Sequence, residues 1–292
     1  MFRYPGGKTK LKKQIRDSIK GYYDKYDCWV DCRYVEPFFG GGAIGRELFP
    51  HIKKIAINDY DIGVAMFWHS VINNHEELCD LVKEFIPTID KFYEFKKFFL
   101  DKELRNEVLK NEKCSFVETG FMKMALHQIS FSGLGVMSGG PLGGNKQQSK
   151  YKIDCRWNPS YIVKKVIKYH NVLCRNDIFR NTCCYDDFYV FLKKVIDKGD
   201  SFIYLDPPYY DKGPELYQFH FEEKKHKKLA NFLEEIDVPW LLSYDCVEEI
   251  RELYSWAEMK EVNMNCTINT KNGALNKKEF LITSKKHSYL LK

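Results

Sequence analysis

The chain has 292 residues, enough for one large domain or for a core domain carrying a smaller insert. Its 46 Lys and Arg against 40 Asp and Glu leave a mild positive balance, compatible with a polyanionic partner without demanding one. No stretch is apolar enough to span a membrane, the start Met1-Phe2-Arg3-Tyr4-Pro5 lacks a secretory apolar core, and the ten cysteines include no paired Cys-x-x-Cys sets, so neither zinc nor any other metal is expected and a reduced, cytoplasmic or nucleoid setting is.

In chain order, Gly6-Gly7-Lys8-Thr9 has the end of a phosphate-loop pattern, but the required earlier glycine is Phe2 and no strand precedes it. Residues 33–39 read as a strand running into a turn. Gly40-Gly41-Gly42-Ala43-Ile44-Gly45 then reads as a glycine loop opening a helix, where backbone can approach a ligand closely. A second strand, 52–58, ends at Asp59, at the interval where an acid meets a ribose in nucleotide-binding folds. Together these describe the first βαβ unit of a doubly wound sheet, and the glycine pattern by itself fits a nicotinamide-dependent oxidoreductase equally well.

Residues 61–109 carry a helical pattern with a break expected at Pro87, and 116–128 form another helix. The stretch from Ser130 through Ser132 to Asn145, Lys146 and Gln147 reads either as a flexible surface loop or as a DNA-reading loop. Amides pair with adenine edges and lysine with phosphate or guanine. Helix returns over 158–171, and 172–174 reads as a short strand leading to Asn176-Asp177-Ile178-Phe179. Beyond it, strands are expected at 201–205, 240–244, 259–264 and 279–283, with helices at 185–197, 221–236 and 247–254. The alternation flanking a helical middle predicts an α/β domain with an insertion.

The strand at 201–205 delivers Asp206-Pro207-Pro208-Tyr209. Two prolines stop the backbone from continuing as strand or helix, so an acid and a ring are fixed at the carboxyl end of a buried strand, where α/β sheets bind ligands. Such a corner suits activation of an aromatic exocyclic amine. The carboxylate accepts one amine hydrogen, a proline carbonyl accepts the other, and the tyrosine stacks on the ring.

Three separated pieces, Tyr4-Pro5-Gly6-Gly7-Lys8, Glu36-Pro37-Phe38-Phe39-Gly40-Gly41-Gly42 and Asp206-Pro207-Pro208-Tyr209, together resemble the Dam-like DNA adenine methylase family in order and spacing. The resemblance implies a Rossmann-like S-adenosylmethionine-dependent methyltransferase sheet with an inserted, mainly helical target recognition domain. Catalytic residues 1–61 and 162–292 would flank an insert at 62–161. It implies that Tyr4 and Lys8 line the methionine end of S-adenosylmethionine, and that Glu36 with the Gly40 to Gly42 backbone cradles the amino acid portion. Asp59 would meet the ribose, Asp177 the cofactor adenine, and Ile178 stands where the family often has an aromatic. Asp206, counted among the cofactor contacts as well, and the Pro207 carbonyl would hold the target N6, with Pro208 fixing the turn and Tyr209 stacking on a flipped-out base. The partner implied is duplex DNA, for a monomeric enzyme whose role is that of a partner to a cognate restriction endonuclease, an orphan regulator or phage self-protection. Cytosine N4 or RNA adenine methylation, and a catalytically idle DNA-binding module, are the competing readings.

Overall fold

The computed structural model describes residues 2, 9–103, 106–107, 115–175, 177–178, 185–196, 200–211, 213, 218–265 and 276–292. The chain separates into two compact units. One comprises Gly6–Asn58 and Asn176–Lys292, the other Met1–Pro5 and Asp59–Arg175.

The first unit is a seven-stranded sheet in the order β3-β2-β1-β4-β5-β7-β6. Strands β1 (Arg33–Glu36), β2 (Lys54–Ile57), β3 (Asp177–Ile178), β4 (Ser201–Leu205) and β5 (Trp240–Asp245) run parallel. The run of β4 is buried throughout and does not alternate, because a parallel strand covered on both faces buries every side chain. The hairpin of β6 (Glu258–Asn265) and β7 (Asn276–Thr283) closes the far side, with β7 antiparallel to both β5 and β6. Strand β6 forms that edge and carries Glu258, Lys260 and Glu261, charges that oppose pairing with a further chain.

Helix α1 (Thr9–Tyr26) buries Leu11, Ile15, Ile19 and Tyr23, one face of a helix by their spacing of four. Helix α2 (Gly45–Leu48) is a single turn after the glycine loop. In the second unit, α3 (Ile62–Asn73) is buried nearly all round and packs on α6 (Phe116–Ile129). The close approach is made at Gly120, where a Cβ would lie 2.5 Å from the Phe67 backbone. Between them come α4 (His75–Glu84) and α5 (Ile89–Leu100), broken around Pro87 as the sequence predicts, with Thr88 capping α5 through the Lys91 N–H. Ser115 and Glu118 form a capping box at the start of α6, and Asn158 with Pro159 starts α7 (Pro159–Leu173). The remaining helices, α8 (Phe188–Ile196), α9 (Glu223–Glu235) and α10 (Glu248–Leu253), belong to the sheet unit. They contribute Phe188, Phe191, Leu192, Leu229, Leu233 and Ile250 to its core.

The α/β class is as expected. Helix α1 goes beyond the elements expected, and one expected strand differs: residues 172 and 173 finish helix α7, and the strand is the two-residue β3 at Asp177–Ile178. The β-branched and apolar side chains there read as strand, yet Leu173 continues the buried stripe of Ile162 and Val166, and tertiary packing overrides the local propensity. Helix α7 also lies wholly in the second unit, whose compact limit falls at Arg175.

Candidate active site

Strands β1 and β4 are neighbours at the point where the strand order reverses, so the crevice beyond their carboxyl ends is the topological switch point of the sheet. Glu36 ends β1 and Asp206 follows β4.

Pro37 stops the β1 ladder. The chain stays tied to β2 through the Asn58 N–H donating to the Glu36 carbonyl at 3.1 Å and the Phe39 N–H to the Asn58 carbonyl at 2.9 Å. The buried Asn58 side chain donates to the carbonyls of Pro37 and Asp186 and accepts the Asp186 N–H, so one amide pins the start of the glycine loop. The loop turns tightly, the Gly42 N–H donating to the Phe39 carbonyl at 2.6 Å. Gly42 has φ +62°, and a Cβ there would lie 2.4 Å from the Phe39 ring, so any other residue is excluded twice over.

Glu36 is 2% exposed. Its carboxyl accepts the Tyr34 hydroxyl at 2.6 Å and the Gly45 backbone N–H. Burial pushes its pKa up to about 8, and the charge of Asp206 adds to the rise, outweighing the Tyr34 and Gly45 donors and the Arg46 charge. A buried acid held beside a second acid is a site that a ligand cation would satisfy.

At the end of β4, Asp206 is partly exposed while its Oδ1 accepts the hydroxyl of the fully buried Ser243 at 3.0 Å. The Ser243 Oγ is in turn 3.0 Å from the Tyr204 hydroxyl. One carboxylate oxygen is therefore held from below by β5. Further along, the Tyr209 hydroxyl donates to Glu279 Oε1 on β7 at 2.5 Å. The N–H groups of Tyr210 and Asp211 donate to the two oxygens of Asp245, at 3.0 and 2.9 Å. Beneath this exit His226 is buried and hydrogen-bonded to the Tyr244 hydroxyl; burial lowers its pKa to about 4, so the ring is neutral.

The sheet unit thus brings together Glu36, Gly40, Gly42 and the Asp206, Pro207, Pro208, Tyr209 corner. Asp177 lies on β3, paired with Lys54. Tyr4 and Lys8 lie outside the described residues.

Asp59 belongs to the second unit, where its carboxylate accepts the Asp61 N–H at 2.8 Å. In that unit the 130–150 stretch is an ordered loop. Ser130 is fully buried, accepting the Gly135 N–H at 2.9 Å and donating to the His127 carbonyl. Gln147 donates to the carbonyls of Leu142 and Gly144 and accepts the Ile153 N–H. Both side chains are thus engaged in building the loop. Ser132, Asn145 and Lys146 are exposed, Asn145 accepting from the Tyr93 hydroxyl at 2.8 Å.

Sequence reading missed Tyr34, Ser243, Asp245 and Glu279. The available signal was a polar side chain inside an apolar strand, as with Ser243 in Trp240-Leu241-Leu242-Ser243 and Glu279 before Phe280-Leu281-Ile282.

A glycine loop after β1 and an acid-Pro-Pro-Tyr corner after the neighbouring β4, at the switch point of a parallel sheet, define an α/β group-transfer site. The model of the D12 class N6 adenine-specific DNA methyltransferases matches residues 4–268, and the chain belongs to that family, in agreement with its motifs. It is 28% identical over 207 residues to the Type II methyltransferase M1.LlaDCHI of Lactococcus lactis subsp. cremoris, covering 71% of this chain and 64% of that protein. With the Type II methyltransferase M.CviBI of Paramecium bursaria Chlorella virus NC1A it shares 22% identity over 254 residues, 86% of this chain and 85% of the relative. With M.MjaIII of Methanocaldococcus jannaschii, another Type II methyltransferase, the figure is 27% over 286 residues, 92% of each. Among the described residues no helix is long and apolar enough to cross a membrane.

Proposed function

We propose that this protein transfers a methyl group from S-adenosyl-L-methionine to the N6 amino group of an adenine flipped out of duplex DNA. The observation that carries the proposal is the Asp206 carboxylate, fixed through Oδ1 by Ser243 at the switch point beside the buried Glu36.

The residues fit the cofactor. Its amino acid portion carries an ammonium, and Glu36 is a buried acid whose pKa rises because no cation offsets its burial sufficiently. Glu36 and the Gly40 to Gly42 backbone would hold that portion. The family resemblance adds Tyr4, Lys8, Asp59 and Asp177 to the cofactor residues. When bound, S-adenosyl-L-methionine supplies an electrophilic methyl on a sulfonium.

The protein's own task is alignment and stabilisation. The Asp206 carboxylate accepts one amino hydrogen and the Pro207 carbonyl the other, which draws the nitrogen lone pair out of the adenine ring. Pro208 fixes the turn, and Tyr209 stacks on the base. Extrusion of the adenine costs a few kcal/mol of pairing and stacking, which these contacts offset. The helical unit acts as the target recognition domain, with the exposed Ser132, Asn145 and Lys146 facing DNA and Ser130 and Gln147 shaping the loop that carries them. The Type II names of the relatives support pairing with a cognate restriction endonuclease, and the enzyme acts as a monomer on DNA in the cytoplasm.

The test is incubation with duplex DNA and labelled S-adenosyl-L-methionine, digestion to nucleosides and identification of the labelled one. N6-methyladenine is expected. N4-methylcytosine, or no incorporation across DNA of varied sequence, would overturn the proposal.

A further inference from the structure

Two acids stand directly opposite each other on adjacent antiparallel strands: Asp245 on β5 is paired in register with Glu279 on β7. Facing acids on neighbouring strands repel, so a sheet gains nothing from this pair unless each acid holds donors. Both do, and three of those donors come from one short segment. Asp245 accepts the N–H groups of Tyr210 and Asp211, while Glu279 accepts the Tyr209 hydroxyl at 2.5 Å. Glu279 is 2% exposed, so its carboxyl is fixed by packing. The flanking Phe280, Leu281 and Ile282 are buried in the sheet.

We propose that Glu279 is a positioning residue for the reaction, setting the direction in which the Tyr209 ring points by holding its hydroxyl from strand β7. The proposal rests on the reading that Tyr209 stacks on the target base. The backbone of Tyr209 is already confined by Pro207 and Pro208 before it and by the Asp245 clamp after it. A hydroxyl anchored at the far end of the ring opposes its swing about the Cα–Cβ bond. A ring whose direction is held before the base arrives pays less ordering cost when it stacks, so the contribution appears in turnover and in the state of the flipped base, not in cofactor affinity.

The test is a double-mutant cycle of Tyr209→Phe and Glu279→Ala, with Glu279→Gln as the variant that keeps an acceptor. Two readouts are used: single-turnover methyl transfer, and fluorescence of DNA carrying 2-aminopurine at the adenine that the wild-type protein methylates. Each single substitution is expected to slow transfer about tenfold, the size of one hydrogen bond to an acid, and the double variant to be no slower than either. Glu279→Gln recovers most of the rate. The 2-aminopurine of the Glu279→Ala complex is brighter than in wild type, because a base without a fixed ring to stack on is less quenched, while the dissociation constant for S-adenosyl-L-methionine is unchanged.

Additive effects in the cycle, or a Glu279→Ala protein with wild-type rate and fluorescence, overturn the inference. A Glu279→Ala chain that does not fold leaves Tyr209→Phe against Glu279→Gln to decide. Wild-type rate and fluorescence in Tyr209→Phe then also overturn it. Failure of the wild-type protein to form N6-methyladenine would instead sink the functional reading itself, so the two failures are distinct.

Discussion

Substituting Glu36→Gln should flatten the dependence of stability on pH. In the folded chain the buried Glu36 carboxyl keeps its proton up to about pH 8, whereas in the unfolded chain it releases it in the usual carboxylate range. Below that range both states are protonated and the full contribution is present. Between the two values only the folded chain holds the proton, so each unit of rising pH favours unfolding by about 1.4 kcal/mol, and the contribution is lost as pH passes the folded value. From about pH 5.5 to about pH 7.5 this amounts to roughly 2 to 3 kcal/mol of stability lost in the wild type. Glutamine carries no titrating group yet presents an oxygen to the Tyr34 hydroxyl at the same place, so its variant lacks this component. Urea unfolding of both proteins at the two pH values measures it as a difference of differences, in which every other titrating group cancels. Equal pH dependence in the two proteins would refute the assignment of a protonated, buried Glu36.

Ser243→Ala removes the hydroxyl that holds Asp206 Oδ1 at 3.0 Å and leaves the Tyr204 hydroxyl without that partner. A fall in kcat of about tenfold, with a stability loss of about 1 to 3 kcal/mol, is expected from steady-state kinetics and thermal melts. In the helical unit, Gly120→Ala places a Cβ where the Phe67 backbone stands 2.5 Å away, so α3 and α6 must separate. Denaturant titration should register a loss of about 3 kcal/mol, and a neutral effect would mean that the helices are not packed as closely as described. Asp61 caps α3 and pairs with Lys123, itself 2% exposed, at 2.5 Å. Asp61→Ala removes the carboxylate paired with a buried ammonium and should cost about 3 to 5 kcal/mol by the same titration, whereas Asp61→Asn, which keeps the cap, should cost less.

What was legible in the sequence is what lies close together along the chain. Glu36, Gly40 and Gly42 announce themselves because a proline and a run of glycines interrupt an apolar strand. Asp206 does so because two prolines follow it. The apolar runs at 201–205 and 240–244 became buried parallel strands because nothing in them could face water. Residues that act from another strand were not legible. Ser243 lies 37 residues from Asp206, and Glu279 lies 70 residues from Tyr209. Only the sheet order brings β5 and β7 under the corner. Composition misled at 172–174, where residues with strand character complete a helix, and in the 130–150 loop, where Ser130 and Gln147 look like surface polar groups but build the loop from within.

Asp206 is the residue proposed to grip the amino group of the target base. Single-turnover methyl transfer by Asp206→Ala, with S-adenosyl-L-methionine binding measured on the same protein, tests it most directly. The rate should fall at least about 100-fold with cofactor binding largely retained. Transfer at the wild-type rate would contradict it.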